Sequence, residues 1–121
     1  MKNSLSISEY DLIKADACGE GKYWFNKTFK PSGVFYKIDF KEVVEKCPHK
    51  YLGWAIIELP WRYAKFIIDT KSVPQLKRLI KLPCLFYEYS IEDVIYRRTG
   101  YILMAKELRV KKELKLRGVI K

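Results

Sequence analysis

The 121-residue sequence predicts a small, mainly α-helical single domain with one or two short strands. Three observations favour this fold class. Hydrophobic residues make up 49% of the chain, which is enough to fill one compact core. Several segments repeat apolar residues every three or four positions, the spacing of one helix face. Serine, aspartate or proline stands where these segments begin, as is typical of helix starts.

The first helix is predicted in "EYDLIKADA", with Ser6 or Ser8 as its N-cap. Acidic residues in its first turn suit the positive end of the helix dipole. Helical spacing places Ile13 on one face together with Tyr10 and Ala17. We expect this face to be the apolar one.

The stretch "ACGEGKYWF" has the composition of a phosphate-binding loop but fails the templates for one. A Walker loop requires other residues where Asp16 and Tyr23 stand, and a dinucleotide fingerprint requires glycine in place of Trp24. We therefore interpret the stretch as a junction between two helices. The first helix is expected to end near Gly19, because glycine past a C-terminus accepts a positive φ, and the second begins after Gly21.

The next segments predict two more helices separated by a turn. The helix "KYWFNKTF" carries an apolar patch of Trp24, Phe25 and Phe29. The composition of "KPSG" predicts a turn, and "VFYKI" is expected to be a brief extended segment. Asp39 is expected to cap the helix "FKEVVEKC", which stops before Pro48.

The most apolar stretch, "HKYLGWAIIEL", predicts the central core helix. Its buried face consists of Leu52, Ala55, Ile56 and Leu59. Pro60 predicts a break before the next helix, "WRYAKFIID", because proline is tolerated in a first turn but not inside a helix. Ser72 and Ser90 are each followed by a helix start, "VPQLKRLIK" and "IEDVIYRR".

Two later segments admit two interpretations each. The aromatic-rich "LPCLFYEY" is the best strand candidate, with a buried loop as the alternative. From Tyr101 onward, Leu108 alternates with Val110, and Leu114 with Leu116, as a hairpin would. Residues that favour helices dominate this tail, so we favour a helix there.

Positive charge is concentrated in the second half of the chain. The net charge is +10, of which residues 1–60 contribute +1 and residues 61–121 contribute +9. The final sixteen residues hold seven bases and two acids. A one-sided basic surface is expected of a partner for nucleic acid, acidic protein or anionic membrane. The alternative is a solvated face that only maintains solubility.

Templates for catalysis and metal binding are incomplete. Cys18, Cys47 and Cys84 lack the paired spacing of structural zinc sites, and we expect three separate core cysteines. Any Cys–His dyad must use His49, whose position after Pro48 instead predicts a partly exposed helix N-terminus. We therefore expect a non-enzymatic protein without a cofactor or bound metal.

The predicted location is the cytoplasm, with no membrane partner. No segment approaches the ~18 apolar residues of a membrane span, and the N-terminus lacks the apolar stretch of a signal peptide. An odd number of widely spaced cysteines is typical of a reducing compartment.

The stretch "ADACGEGKYWFNKTF" resembles a short helical module of uncharacterised phage and prophage proteins, with the pattern A-C-x-E-G-x-x-x-F-x-x-x-F. The matching residues are Ala17, Cys18, Glu20, Gly21, Phe25 and Phe29. "LGWAIIEL" is similar to the tryptophan-bearing helix that follows in such proteins, so the resemblance covers residues 8–60. It implies a small helical fold and an origin in a mobile element. It transfers no catalytic residue and does not extend to the basic half.

These observations predict a basic protein that binds nucleic acid, either DNA or RNA, through its second half. Basic side chains would neutralise phosphates while interleaved aromatic rings stack on bases. The predicted contact surface comprises Arg97, Arg98, Arg109, Lys111, Lys112, Lys115 and Arg117. Further candidate contacts are Arg62, Lys65, Lys77, Arg78 and Lys81, with Tyr63, Tyr87, Tyr96 and Tyr101 among them. The equal alternative for any one of these residues is that the tyrosine belongs to the core and the charge to a solvated rim. The alternative is a phage-type accessory protein that binds and modulates a host protein through the same basic face.

Overall fold

The computed structural model describes residues 5–82, 90–93 and 105–121, with the side chains of 105–107 excepted. The described residues are mainly helical and include one sheet of two strands, which confirms the predicted fold class. Contacts divide the chain into two compact units, Met1–Cys47 and Pro48–Lys121. The first unit is nearly neutral, with 8 Lys against 7 Asp and Glu, and the second holds 16 Lys and Arg against 7 Asp and Glu.

The first unit combines a two-stranded antiparallel sheet with three helices. Strand β1 (Ser6–Ile7) pairs with β2 (Ile38–Asp39), so that Ser6 lies opposite Asp39 and Ile7 opposite Ile38. The helices are α1 (Glu9–Lys14), α2 (Gly19–Phe29) and α3 (Phe40–Lys46). The apolar residues buried in this unit include Ile7, Leu12, Phe25, Ile38, Phe40, Val43 and Val44.

Helix α1 begins as the sequence predicts but buries a different face. Ser8 is the N-cap, and its side chain and that of Asp11 bind each other's backbone N–H groups in a capping box. The predicted apolar face is wrong: Leu12 is buried, whereas Tyr10 and Ile13 are exposed. The helix is six residues long and ends before Ala17, so Ala17 cannot share a helix face with Tyr10 and Ile13.

The glycine-rich stretch is a helix junction, as predicted, but its glycines do not end α1. That helix ends at Lys14, and Asp16 takes the left-handed conformation with φ 59°. Gly19 and Gly21 instead lie in the first turn of α2, where the Gly21 N–H donates to the Cys18 Sγ at 3.3 Å. Aspartate tolerates a positive φ better than most residues, so the chain can end α1 at Asp16 without using a glycine there.

The aromatic patch on α2 is confirmed. The Phe29 ring centroid lies 5.6 Å from that of Trp24 and 5.4 Å from that of Phe25. After α2 the chain turns at "KPSG" as predicted, starting from Lys30 in the left-handed conformation. The extended segment predicted over "VFYKI" is wrong except at its end. The Tyr36 N–H donates to the Gly33 carbonyl at 3.1 Å and closes a turn, so the strand is only two residues long.

The second unit contains helices α4 (His49–Glu58), α5 (Trp61–Thr70), α6 (Val73–Leu79) and α7 (Ala105–Leu116). Helix α4 packs against both α5 and α6, and α5 packs against α7. The predicted face of α4 is buried, and Pro60 separates α4 from α5 as predicted. Ser72 and Gln75 form a capping box, and the Asp93 N–H donates to the Ser90 Oγ at 3.1 Å.

The tail is helical over Ala105–Leu116, so the favoured interpretation is confirmed and the hairpin is wrong there. Gly118 ends the helix with φ 76°, and the Val119 N–H donates to the Leu114 carbonyl at 2.9 Å. This is the Schellman arrangement, which requires a left-handed residue just past the helix. Residues 83–89, which include most of the predicted strand "LPCLFYEY", lie outside the described residues.

In the part of the chain that the structure describes, no helix has both the length and the apolar character needed to cross a membrane.

Candidate functional site

Helix α7 lies along α5, and the side chains of Arg109 and Arg117 contact that helix. The Arg109 guanidinium lies 5.9 Å from the ring centroid of Trp61, the first residue of α5. The Arg117 guanidinium donates to the carbonyl oxygens of Ile68, at 2.7 Å, and Lys71, at 2.9 Å. Because Arg109 contacts the first residue of α5, and Arg117, further along the chain, contacts the last turn of α5, the two helices run parallel.

One face of α7 packs against the unit, and the other is cationic. Val110 and Leu114 are buried. At about 100° per residue, the opposite side presents a continuous arc of about 160°. In order around the helix, this α7 arc consists of Lys111, Lys115, Leu108, Lys112, Leu116 and Arg109.

The α7 arc contains four cations and no carboxylate. Glu113 lies beyond Arg109 on the helical wheel, and its charge acts on Lys65 of α5. Lys112, Lys115 and Arg109 are exposed, and Lys111 is half-buried. The six positions of the arc therefore carry positive charge only, and three of its four cations are exposed to solvent.

An open hollow of about 440 Å³ lies along the arc. It is lined by Leu108, Lys111, Lys112, Lys115 and Leu116. The two leucines are 51% and 72% exposed, so they add apolar area to this surface. A surface that mixes ammonium groups with apolar contact area suits an anionic ligand that also has apolar parts, such as a sugar–phosphate backbone.

The structure describes five of the seven residues predicted to form the contact surface. The structure brings Arg109, Lys111, Lys112 and Lys115 together on the α7 arc, and it places the Arg117 guanidinium against backbone carbonyls of α5. The remaining predicted contacts, Arg97 and Arg98, lie outside the described residues, as do Tyr87, Tyr96 and Tyr101.

Two cations of α5 already have partners within the unit. The Lys65 Nζ donates to the Asp69 Oδ2 at 2.9 Å, and this bond raises the pKa of the lysine. The Arg62 guanidinium lies 4.7 Å from the ring centroid of Tyr63. Tyr63 itself is only 2% exposed, so of the two roles left open for it the core role is correct and stacking on bases is excluded. Its large ring fills the core, a use of tyrosine that the sequence pattern does not distinguish from a surface role.

His49 begins α4 and is half-buried, as predicted. Burial lowers the pKa of its imidazole, and the positive charges of Lys71 and Arg78 lower it further. Both effects favour the neutral imidazole of His49 over the charged imidazolium.

The prediction of core cysteines is wrong for the two that the structure describes. Cys18 and Cys47 are half-buried at helix ends, and neither forms a disulfide. Cys84 lies outside the described residues. Across the described ranges, no three His, Cys, Asp or Glu side chains are grouped so that they could hold a metal ion.

A second exposed feature lies in the first unit and was missed by the sequence analysis. It consists of five exposed residues from α1 and from the turn that follows α2. These are Tyr10, Ile13, Val34, Phe35 and Tyr36, and we name them the Phe35 patch. The ring centroids of Tyr10 and Phe35 lie 4.8 Å apart. The signal for this patch is the run of three apolar residues directly after the turn-forming "KPSG", where polar residues are usual.

No protein-family model, curated protein or solved structure matches this chain. The resemblance of residues 8–60 to a phage module therefore stays a prediction, and the case for a function depends on the geometry described above.

Proposed function

We propose that this protein is a non-enzymatic nucleic-acid-binding protein and that the α7 arc contacts the phosphate backbone. The supporting observation is the arrangement of Arg109, Lys111, Lys112 and Lys115 within one arc of α7 that holds no carboxylate. A polyanion gains most from such a surface, because each neutralised phosphate releases condensed counterions.

The spacing along α7 also suits a polymer of regularly placed charges. Residues 109 and 115 are six positions apart, which corresponds to about 9 Å along a helix. The arc therefore offers four cations within the length of a few phosphates. Lysine side chains are long and flexible, so they reach phosphates without reading bases. We expect binding that tolerates many sequences.

The same proposal places the protein in the cytoplasm. The supporting observation is the odd number and wide spacing of the three cysteines, which is typical of a reducing compartment.

The test is fluorescence anisotropy with a labelled duplex and a labelled single strand at ~50 and ~200 mM salt. If four phosphates are neutralised, duplex affinity falls by about 10²-fold across that range. K112E/K115E is expected to weaken binding at least tenfold at the lower salt and to reduce the salt slope by about two.

The matched control is K27E/K41E, which makes the same change in net charge at two exposed lysines of the first unit. It is expected to keep most of the affinity. Equal losses in the two double variants would mean that binding follows net charge alone and that the α7 arc has no special role. Absence of binding at ~50 mM salt by a folded protein would overturn the proposal, and the basic face would then suit the alternative host-protein partner.

A further inference from the structure

The Phe35 patch places apolar side chains at turn positions where polar residues are usual. Val34 and Phe35 occupy the two central positions of the turn closed between Gly33 and Tyr36. Such positions usually hold glycine, proline, asparagine, aspartate or serine. Phe35 is 71% exposed, so its ring adds little to the core. Runs of exposed apolar residues are generally retained for binding.

The patch is anchored rather than loosely displayed. The Tyr10 N–H donates to the Val34 carbonyl at 2.9 Å and ties the turn to the first turn of α1. The Tyr10 and Phe35 rings contact each other with their planes 43° apart. Two rings supported in this way present flat apolar surface at little cost in conformational entropy.

The lysines of α1 and of the segment 30–37 outnumber the carboxylates there, with Lys14, Lys30 and Lys37 against Glu9 and Asp11. The Lys14 Nζ lies 5.6 Å from the Tyr10 ring centroid. Lys30 and Lys37 are the charged residues of the segment 30–37. The Asp11 carboxylate, on the same helix as Tyr10, accepts hydrogen bonds from the Ser8 N–H at 2.8 Å and Oγ at 3.0 Å. The net charge of these two segments is therefore +1, and the exposed Tyr10 and Phe35 rings offer flat apolar surface to an occupant.

We propose that the Phe35 patch stacks on unpaired bases and that the protein therefore prefers single-stranded to duplex nucleic acid. This inference rests on the proposed function, in which the α7 arc supplies contacts to phosphates. Aromatic rings beside cations bind single strands of varied sequence, because every base has a π-face. In a duplex the bases are already stacked on one another and are not available to the rings.

The experiment compares variants of Phe35 with a fluorescein-labelled dT12 strand and a 12-base-pair duplex. F35A is expected to weaken dT12 binding by about 5- to 150-fold and to leave duplex binding unchanged. F35L keeps an apolar side chain but removes the π-face, so it is expected to lose affinity as well. F35W is expected to bind dT12 at least as tightly as the wild type. Since residue 35 is mostly exposed, all three variants are expected to fold.

Y23A is the matched control for loss of an exposed aromatic residue. Tyr23 of α2 is 66% exposed and has the Lys27 Nζ 5.8 Å from its ring centroid, but it lies outside the Phe35 patch as defined. This variant is expected to bind dT12 like the wild type. Equal losses in Y23A and F35A would overturn the assignment to the patch.

The outcomes separate this inference from the proposed function. If F35A binds both probes like the wild type while K112E/K115E loses duplex affinity, the stacking inference is overturned and the proposed function stands. If the wild type binds neither probe, both fail. If F35L binds dT12 like the wild type, apolar contact rather than stacking is responsible, which also overturns the inference. A concentration-dependent dimer in sedimentation equilibrium that F35A abolishes would assign the patch to a second copy of the chain instead.

Discussion

The guanidinium of Arg117 donates a hydrogen bond to the carbonyl oxygen of Ile68 at 2.7 Å, across 49 positions of sequence. A second bond reaches the Lys71 carbonyl at 2.9 Å. The last carbonyls of an α-helix lack partners within the helix, and a cation there also meets the negative end of the helix dipole. One of the predicted contact residues therefore has a structural role, which is to cap α5 and hold α7 against it.

The variant R117A is expected to destabilise the protein by about 1.5–3 kcal/mol, because charge-assisted hydrogen bonds are lost and their acceptors are left without the guanidinium. R117K is expected to fall between R117A and the wild type, since an ammonium does not reproduce the planar fork of a guanidinium. Urea unfolding followed by circular dichroism measures both differences.

K115A serves as the control, because Lys115 is an exposed cation two residues before Arg117. Its free energy of unfolding is expected to lie within about 0.5 kcal/mol of the wild type. If R117A and K115A unfold at the same urea concentration, the two hydrogen bonds contribute nothing measurable and the capping role is wrong.

Leu114 and Leu116 are expected to respond very differently to truncation. Leu114 is fully buried, so L114A is expected to cost about 2–5 kcal/mol through lost contacts and a cavity. L116A is expected to cost less than about 0.5 kcal/mol, because that side chain is 72% exposed. In a hairpin the two residues would share one face and respond alike. Similar losses in urea unfolding would therefore contradict the helix.

Removal of the capping box at the start of α6 is expected to cost about 1 kcal/mol. The Ser72 Oγ accepts from the Gln75 N–H at 3.3 Å, and the Gln75 Oε1 accepts from the Ser72 N–H at 3.0 Å. S72A removes the first bond and is expected to lower the melting temperature by about 3–5 °C. S72D retains a capping oxygen, so it is expected to melt close to the wild type. A melt of S72D as low as that of S72A would contradict capping as the cause.

The imidazole of His49 is expected to titrate below its usual pKa of about 6.5. Burial contributes most to this lowering, followed by the positive charges of Lys71 and Arg78. Because His49 is the one histidine of the chain, its ring signal in proton NMR is unambiguous. K71Q is expected to raise this pKa, and so is added salt, which screens both cations. A pKa at or above the usual value would contradict the described surroundings.

The lowered pKa makes stability depend on pH in a defined direction. The unfolded chain takes up the proton first, so stability falls as the pH drops through the usual pKa and levels off below the folded pKa. The melting temperature is therefore expected to decrease by a few degrees at most from pH 7.5 to 5.5. H49Q lacks this group and is expected to show a smaller decrease over the same interval.

Helix starts were predicted well because their chemistry is local. Ser8, Asp39, Ser72 and Ser90 cap helices as expected, since a capping oxygen binds a backbone N–H two or three residues away. The break at Pro60 is equally local, because proline removes its own N–H donor. Such features depend on a few consecutive residues and are visible in the sequence.

Burial of particular side chains was predicted less well because it depends on distant parts of the chain. The sequence left a surface role and a core role equally open for Tyr63, which fills the core. Tyr10 and Ile13 were assigned to an apolar face and are exposed. An apolar side chain in a short helix fits several faces equally, and the neighbouring elements decide which face is covered. The Phe35 patch was missed for the same reason.

The sequence by itself determined the helical class, the helix starts and the concentration of positive charge in the second half, because composition, capping and net charge are properties of local residues. Only the tertiary structure decided which cations share a surface. Arg109, Lys111, Lys112 and Lys115 face solvent because Val110 and Leu114 are buried on the opposite side of α7. The Arg117 guanidinium instead binds the end of α5, because the last carbonyl oxygens of that helix have no hydrogen-bond donors within the helix. Contacts between residues nearly fifty positions apart decide these roles, and no local pattern encodes them.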